Sequence, residues 1–119
     1  MYDSEPVIIM QVACSDYNSG SKLVSAMLEN MAKMVGSDKA DILSGPAESA
    51  MGWDFYPIAI SKAFVQRVAR VPENDIWRMK GGNLDEKFAT WLDRQLKIRA
   101  EGVEVKLLSD LKSSRFGLF

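Results

Sequence analysis

Apolar residues fill positions 7 to 14 almost without a break, as Val7, Ile8, Ile9, Met10, Gln11, Val12, Ala13 and Cys14, and the polar cluster Ser15 to Gly20 ends the run. A continuous, β-branched run of this length predicts a central strand buried on both sides. Beyond the cluster, Leu23, Met27, Met31 and Met34 recur at helical spacing, with Val24, Leu28 and Val35 widening the stripe and Gly36 at the stop. A helix over Ser21 to Val35 follows, with Ser19 or Ser21 as its cap.

Residues 37 to 52 mix a short strand-like piece, Asp41, Ile42 and Leu43, with the breakers Ser44, Gly45, Pro46 and Gly52, and are expected to be mostly loop. Strand character resumes at Trp53 to Ile60. There Trp53, Phe55, Pro57 and Ala59 fall on one side and Tyr56, Ile58 and Ile60 on the other. Pro57 has no backbone N–H, so it predicts an edge position or an interruption of the ladder.

The segment Ser61 to Val71 fits two patterns. Ile60, Phe64, Val68 and Val71 form a helical stripe, while Val65, Val68 and Val71 fit an extended chain less regularly. On the helical reading Ser61 is the cap and Pro72 stops the helix near Arg70. Ile76 to Met79 reads as a short strand, followed by a turn at Lys80, Gly81, Gly82 and Asn83. Asn83 and Glu86 then resemble a capping box ahead of Leu84, Phe88, Trp91, Leu92 and Leu96, which predicts a helix over Leu84 to Ala100. Gly102 marks its stop, and Val103, Val105 and Leu107 alternate with Glu104 and Lys106 as a half-buried strand.

This order predicts a single small domain of α/β or α+β class, with a mixed sheet of about four strands and two or three helices. A helical Ser61 to Val71 points to a three-layer α/β arrangement, and an extended one to a ferredoxin-like plait with both helices on one face. Residues 113 to 119 read as a mobile or partner-dependent tail.

Composition narrows the chemistry. The 119 residues contain one cysteine, Cys14, and no histidine. This removes intrachain disulfides, zinc sites of the Cys/His kind and imidazole-based catalysis. Asp3 and Glu5 precede the first apolar run, against a secretory signal, and no run approaches the roughly 20 apolar residues of a membrane span. A cytoplasmic protein without membrane association is expected. Net charge is −1, yet residues 1–61 carry three Lys and eight acids while residues 62–119 carry twelve Lys or Arg and eight acids.

No motif fixes a reaction. Gly20, Ser21 and Lys22 would form a weak anion-binding site if they opened a helix, but the second glycine and the Lys-Ser/Thr pair of a phosphate-binding loop are missing. Cys14 lacks a nearby arginine or any histidine and reads as a buried structural residue. No metal site, cofactor or catalytic set is expected, and a phosphate- or nucleotide-dependent enzyme ranks third among the functions.

The remaining signal is for binding. Aromatic residues and arginine are enriched at interface cores, and Trp53, Tyr56, Arg67, Arg70, Trp77, Arg78, Arg115, Phe116 and Phe119 are the expected partner-binding residues. The first expectation is therefore a non-enzymatic protein-interaction module, an adaptor, inhibitor or assembly subunit with a protein partner or a second copy of itself. The alternative is nucleic-acid binding through the basic segment 62–80, where Lys62, Arg67, Arg70, Arg78 and Lys80 accompany Phe64 and Trp77.

Overall fold

The computed structural model describes residues 7–36 and 42–108. The first apolar run forms β1 (Val7–Cys14), and α1 (Tyr17–Val35) follows it. Helix α1 begins four residues before the expected Ser21. Neither Ser19 nor Ser21 caps it; the cap position is Asp16, and Ser19 Oγ donates to the Asp16 carboxylate at 2.9 Å. The early start depends on Gly20, which is buried against β1. A Cβ built there would lie 2.5 Å from Cys14 Sγ, so only glycine lets the helix approach the strand this closely. At the other end, Gly36 adopts φ 73° and its N–H bonds Ala32 O, closing the helix as expected.

Residues 42 to 50 correct the loop expectation. Two short strands, β2 (Ile42–Ser44) and β3 (Glu48–Ala50), both pair with β4 (Trp53–Ser61). Together they make one broken edge strand, joined to β4 by a two-residue turn in which Met51 and Gly52 have φ 53° and 83°. Pro57 explains the break. Strand β4 is central, not an edge, and Pro57 O accepts from Gly45 N at 2.9 Å, so the missing N–H of Pro57 also points toward β2 and β3. Where a ladder acceptor would be left unpaired, the neighbouring chain breaks at Gly45 to Ala47 instead.

Helix α2 (Lys62–Ala69) resolves the contested segment as helical, with Ser61 Oγ accepting from Phe64 N at 3.1 Å. The expected strand at Ile76 to Met79 is absent. Two 3-10 turns, Pro72–Asn74 and Ile76–Arg78, stand there, hinged at Asp75 with φ 56°. Ile76 is fully buried and pins the connection to the core. Helix α3 (Leu84–Arg99) starts at Asn83, whose Oδ1 accepts from Glu86 N at 2.9 Å. The Glu86 carboxylate reaches back to Gly82 N at 2.6 Å, one residue earlier than in a standard capping box. Strand β5 (Val103–Leu107) completes the chain's described elements.

The sheet runs β2-β4-β1-β5, with β3 beside β2 on the same flank of β4, and every pair is antiparallel. Counting β2 and β3 as one strand, this is the order of a ferredoxin-like plait. A helical α2 was expected to bring a third layer. Because residues 76 to 78 are not a strand, α2 and α3 instead form a single connection from β4 to β5, and the result is an α+β domain of two layers.

Strand alternation assigns the faces. Ile8, Met10, Val12 and Cys14 of β1, Tyr56, Ile58 and Ile60 of β4, and Val103, Val105 and Leu107 of β5 are buried beneath the helices. They pack with Val24, Met27 and Leu28 of α1, Phe64 and Val68 of α2, and Phe88, Leu92 and Leu96 of α3. The β5 edge is guarded, since the Asp93 carboxylate of α3 accepts from Val105 N at 2.9 Å and from Lys97 Nζ at the same distance.

Candidate functional site

The face of the sheet away from the helices is uncovered among the described residues. Register places Leu43, Ala59 and Ile9 side by side across β2, β4 and β1. With strands about 4.8 Å apart, this row runs roughly 10 Å across the sheet. Leu43 is 65% exposed and Ile9 41%, and Val7, one step along β1, is 44% exposed. Further along, Phe55 stands between Ala13 and Glu48, and Trp53 is paired with Ala50. Trp53 and Phe55 are half-buried, and Pro57 is exposed. The charged residues of this face are Glu48, Glu104 and Lys106, so it carries more acid than base.

The expected partner-binding residues do not converge on one surface. Trp53 lies on the uncovered face, but Tyr56, three positions on, turns to the helix side and is only 4% exposed. It is removed from the aromatic surface by strand alternation, with its ring edge-on to Tyr17 at 5.3 Å. Burial pushes the Tyr56 phenol up from its ordinary pKa, helped by the neighbouring Cys14 and Tyr17. Arg67 is half-buried on α2 and Arg70 is exposed at its end. Trp77 is 59% exposed in the second 3-10 turn, next to Arg78, whose guanidinium pairs with Asp75 at 3.5 Å. Arg115, Phe116, Phe119 and the expected tail lie outside the described residues.

The basic segment is partly neutralised. Lys62 pairs with Asp85 at 3.4 Å and Arg78 with Asp75, while Arg70 and Lys80 are exposed. Exposed pairs of this kind contribute little stability, but they reduce the positive field available to a phosphate chain.

The weak anion site at Gly20, Ser21 and Lys22 is not built. These residues lie inside α1, where Gly20 N already bonds Asp16 O at 2.9 Å. The true helix start is occupied by carboxylates: Tyr17 N donates to Asp54 Oδ2 at 3.2 Å, and Asp16 stands beside it. An anion would meet two negative charges there. Cys14 is fully buried, and burial, then Asp54 and Asp16, push its thiol up, away from the nucleophilic thiolate. Among the described residues no cluster of carboxylates and thiols is placed to hold a metal, and no helix is long and apolar enough to cross a membrane.

A second concavity lies on the helix side, along the flank of α1 away from the other helices. It has a volume of about 600 Å³ and runs past Tyr17, Ser21, Val24, Leu28 and Ala32, with Tyr56 and Ile58 of β4 and Ile42 and Ser44 of β2 opposite. Sequence reasoning missed it, because it requires knowing that β2 extends the sheet beyond the cover of α1. The helical stripe was visible; the strand facing it was not. Compared with known proteins, the chain matches no family model, no curated protein and no solved structure.

Proposed function

We propose that the chain is a non-enzymatic protein-interaction module that docks the apolar surface of a protein partner on the uncovered face of its sheet. One observation carries this reading: β1 has the composition of a strand buried on both sides, yet Val7 and Ile9 are exposed on a face that the described chain does not cover. The apolar row Leu43, Ala59 and Ile9, flanked by Trp53, supplies the kind of surface found at interface cores. The excess of acid over base on this face, and the ion pairing of Lys62 and Arg78, favour protein over nucleic acid as the partner. The lone buried thiol fits a reducing compartment, and we place the protein in the cytoplasm.

The test is charge insertion on the uncovered face, Ile9→Lys with Leu43→Lys. Purified from its native host, the wild-type chain is expected to carry a stoichiometric protein partner, or a second copy, that resists moderate salt. The double variant should fold with an unchanged circular dichroism spectrum and lose that partner. Retention of the same partner by the double variant overturns the reading. Recovery of the wild type with polynucleotide that salt strips off supports the basic-segment alternative instead.

A further inference from the structure

The uncovered face has a polar feature that its apolar row does not explain. Register sets Glu48, Phe55, Ala13 and Glu104 in a single row across β3, β4, β1 and β5. The two carboxylates stand at its ends, roughly 14 Å apart at the usual strand spacing, with a phenyl ring between them. Neither belongs to an ion pair among the described residues. A cover that fits this face brings apolar side chains for Phe55 and Ile9 and positive charge for both ends of the row.

Three parts of the chain lie outside the described residues, and one has that composition. Residues 1–6 carry Asp3 and Glu5 and no Lys or Arg, and residues 37–41 hold no large apolar side chain. Residues 109–119 hold Leu111, Phe116, Leu118 and Phe119, with Lys112 and Arg115 against a single acid, Asp110. Their point of departure also fits. Strand β5 ends at Leu107, opposite Met10, so the chain leaves the sheet one step on, level with Ile9. These eleven residues reach at most about 40 Å, and the run along β1 from Ile9 to Ala13 needs about 13 Å. A second copy docked face to face would instead set two acid-rich surfaces together.

We propose that residues 109–119 fold back along β1 and β5 as an intramolecular strap, with aromatic side chains over Ile9 and Phe55 and with Lys112 and Arg115 drawn to Glu48 and Glu104. Leu43, at the far end of its own row, stays in water. A partner engages Ile9 only by displacing the strap, a regulatory consequence that rests on the docking reading; the strap itself does not.

The experiment places a nitroxide on the full chain at Ser114→Cys and compares NMR intensities in its oxidised and reduced forms. Cys14 is fully buried and stays unlabelled. The methyl signals of Val7 and Ile9 are expected to lose severalfold more intensity than those of Leu28 and Leu92 on the helix side. Lys112→Glu with Arg115→Glu should abolish this contrast, and adding Glu48→Lys with Glu104→Lys should restore it. Equal losses on both sides of the sheet, or a contrast that ignores the charge reversal, overturn the proposal. So does a contrast carried between molecules, seen when isotope-labelled chain without nitroxide is mixed with unlabelled chain that bears it, because the segment then docks on a second copy. These measurements need no partner, so their failure leaves the docking reading standing. In purification from the native host, the Lys112→Glu, Arg115→Glu variant should carry severalfold more partner than the wild type. Equal recovery overturns the regulatory role; recovery of no partner by either chain overturns the docking reading and that role with it, while the nitroxide measurement still decides the strap.

Discussion

The two faces of the sheet come from the same strands, residue by alternate residue, and they end in opposite environments. On the helix side, Met10, Val12 and Ile60 have no measurable exposure, and three helices close over them. On the other side, Ile9 and Leu43 are of the same chemical kind and remain in water. The strands do not distinguish these residues; the connections do. Both crossovers, α1 and the α2–α3 pair, return over one face, so apolar side chains on the other have no cover from the described chain. The comparison teaches that β-branched composition measures a residue's need for burial, whereas topology decides which needs the chain meets itself.

The sharpest way to break this contrast is truncation on each face. Phe64→Ala on the helix side should cost about 3–5 kcal/mol, because Phe64 is fully buried and its cavity cannot collapse completely. Leu43→Ala on the uncovered face should change stability by no more than about 0.5 kcal/mol. Urea denaturation of the isolated chain checks both values; comparable losses would mean that the second face is covered too.

Gly20→Ala ranks next. The added methyl meets Cys14 Sγ and Cβ, and overpacking of this sort costs about 1–3 kcal/mol. Combined with Cys14→Ala, the penalty of the glycine substitution should shrink, a coupling that a double-mutant cycle measures. Additive losses would show that α1 approaches β1 less closely than described.

Asn83→Ala should cost about 1 kcal/mol by leaving Glu86 N without its acceptor at the start of α3. The helix lies wholly on the covered side, so thermal melting should report the loss while partner binding on the opposite face stays unchanged.

The smallest effect at neutral pH comes from titration beneath α1. Cys14 and Tyr56 both have folded-state pKa values raised by burial above their ordinary values of 9.0 and 10.0. Their neutral forms are favoured by folding, so their contribution is fully present below pH 9. It is lost as pH rises, because the unfolded chain ionises first. Stability measured across pH 7 to 11 should therefore be flat and then fall, and Cys14→Ala should delay the onset of the decline. A decline beginning below pH 8 would contradict the assignment, since the chain has no histidine to titrate there.

Legibility in the sequence followed the range of the forces involved. The two long helices, the strands at Val7, Trp53 and Val103, the Ser61 and Asn83 caps and the Gly36 stop were all readable, because each depends on neighbours within a few positions. The start of α1 was misplaced, since no nearby residue announces that Gly20 packs against Cys14. Residues 76 to 78 look like a strand by composition, but β5 already occupies the place beside β1. The break between β2 and β3 depends on Pro57, a residue from another strand. Tyr56 could be placed on the side opposite Trp53 by alternation, but which side the helices would cover was not visible.

The amino-acid sequence alone settled the two long helices and the strands at Val7, Trp53 and Val103, which of their residues alternate, and that neither a disulfide nor an imidazole-dependent reaction is available within the chain. These properties follow from local backbone preferences and from side-chain inventory, which need no distant partner. Tertiary structure decided the strand order, the single covered face, the groove along α1 and the exposure of Ile9 and Leu43. Those outcomes turn on contacts between residues far apart in the chain, where competing arrangements bury similar amounts of apolar surface and only the completed packing separates them.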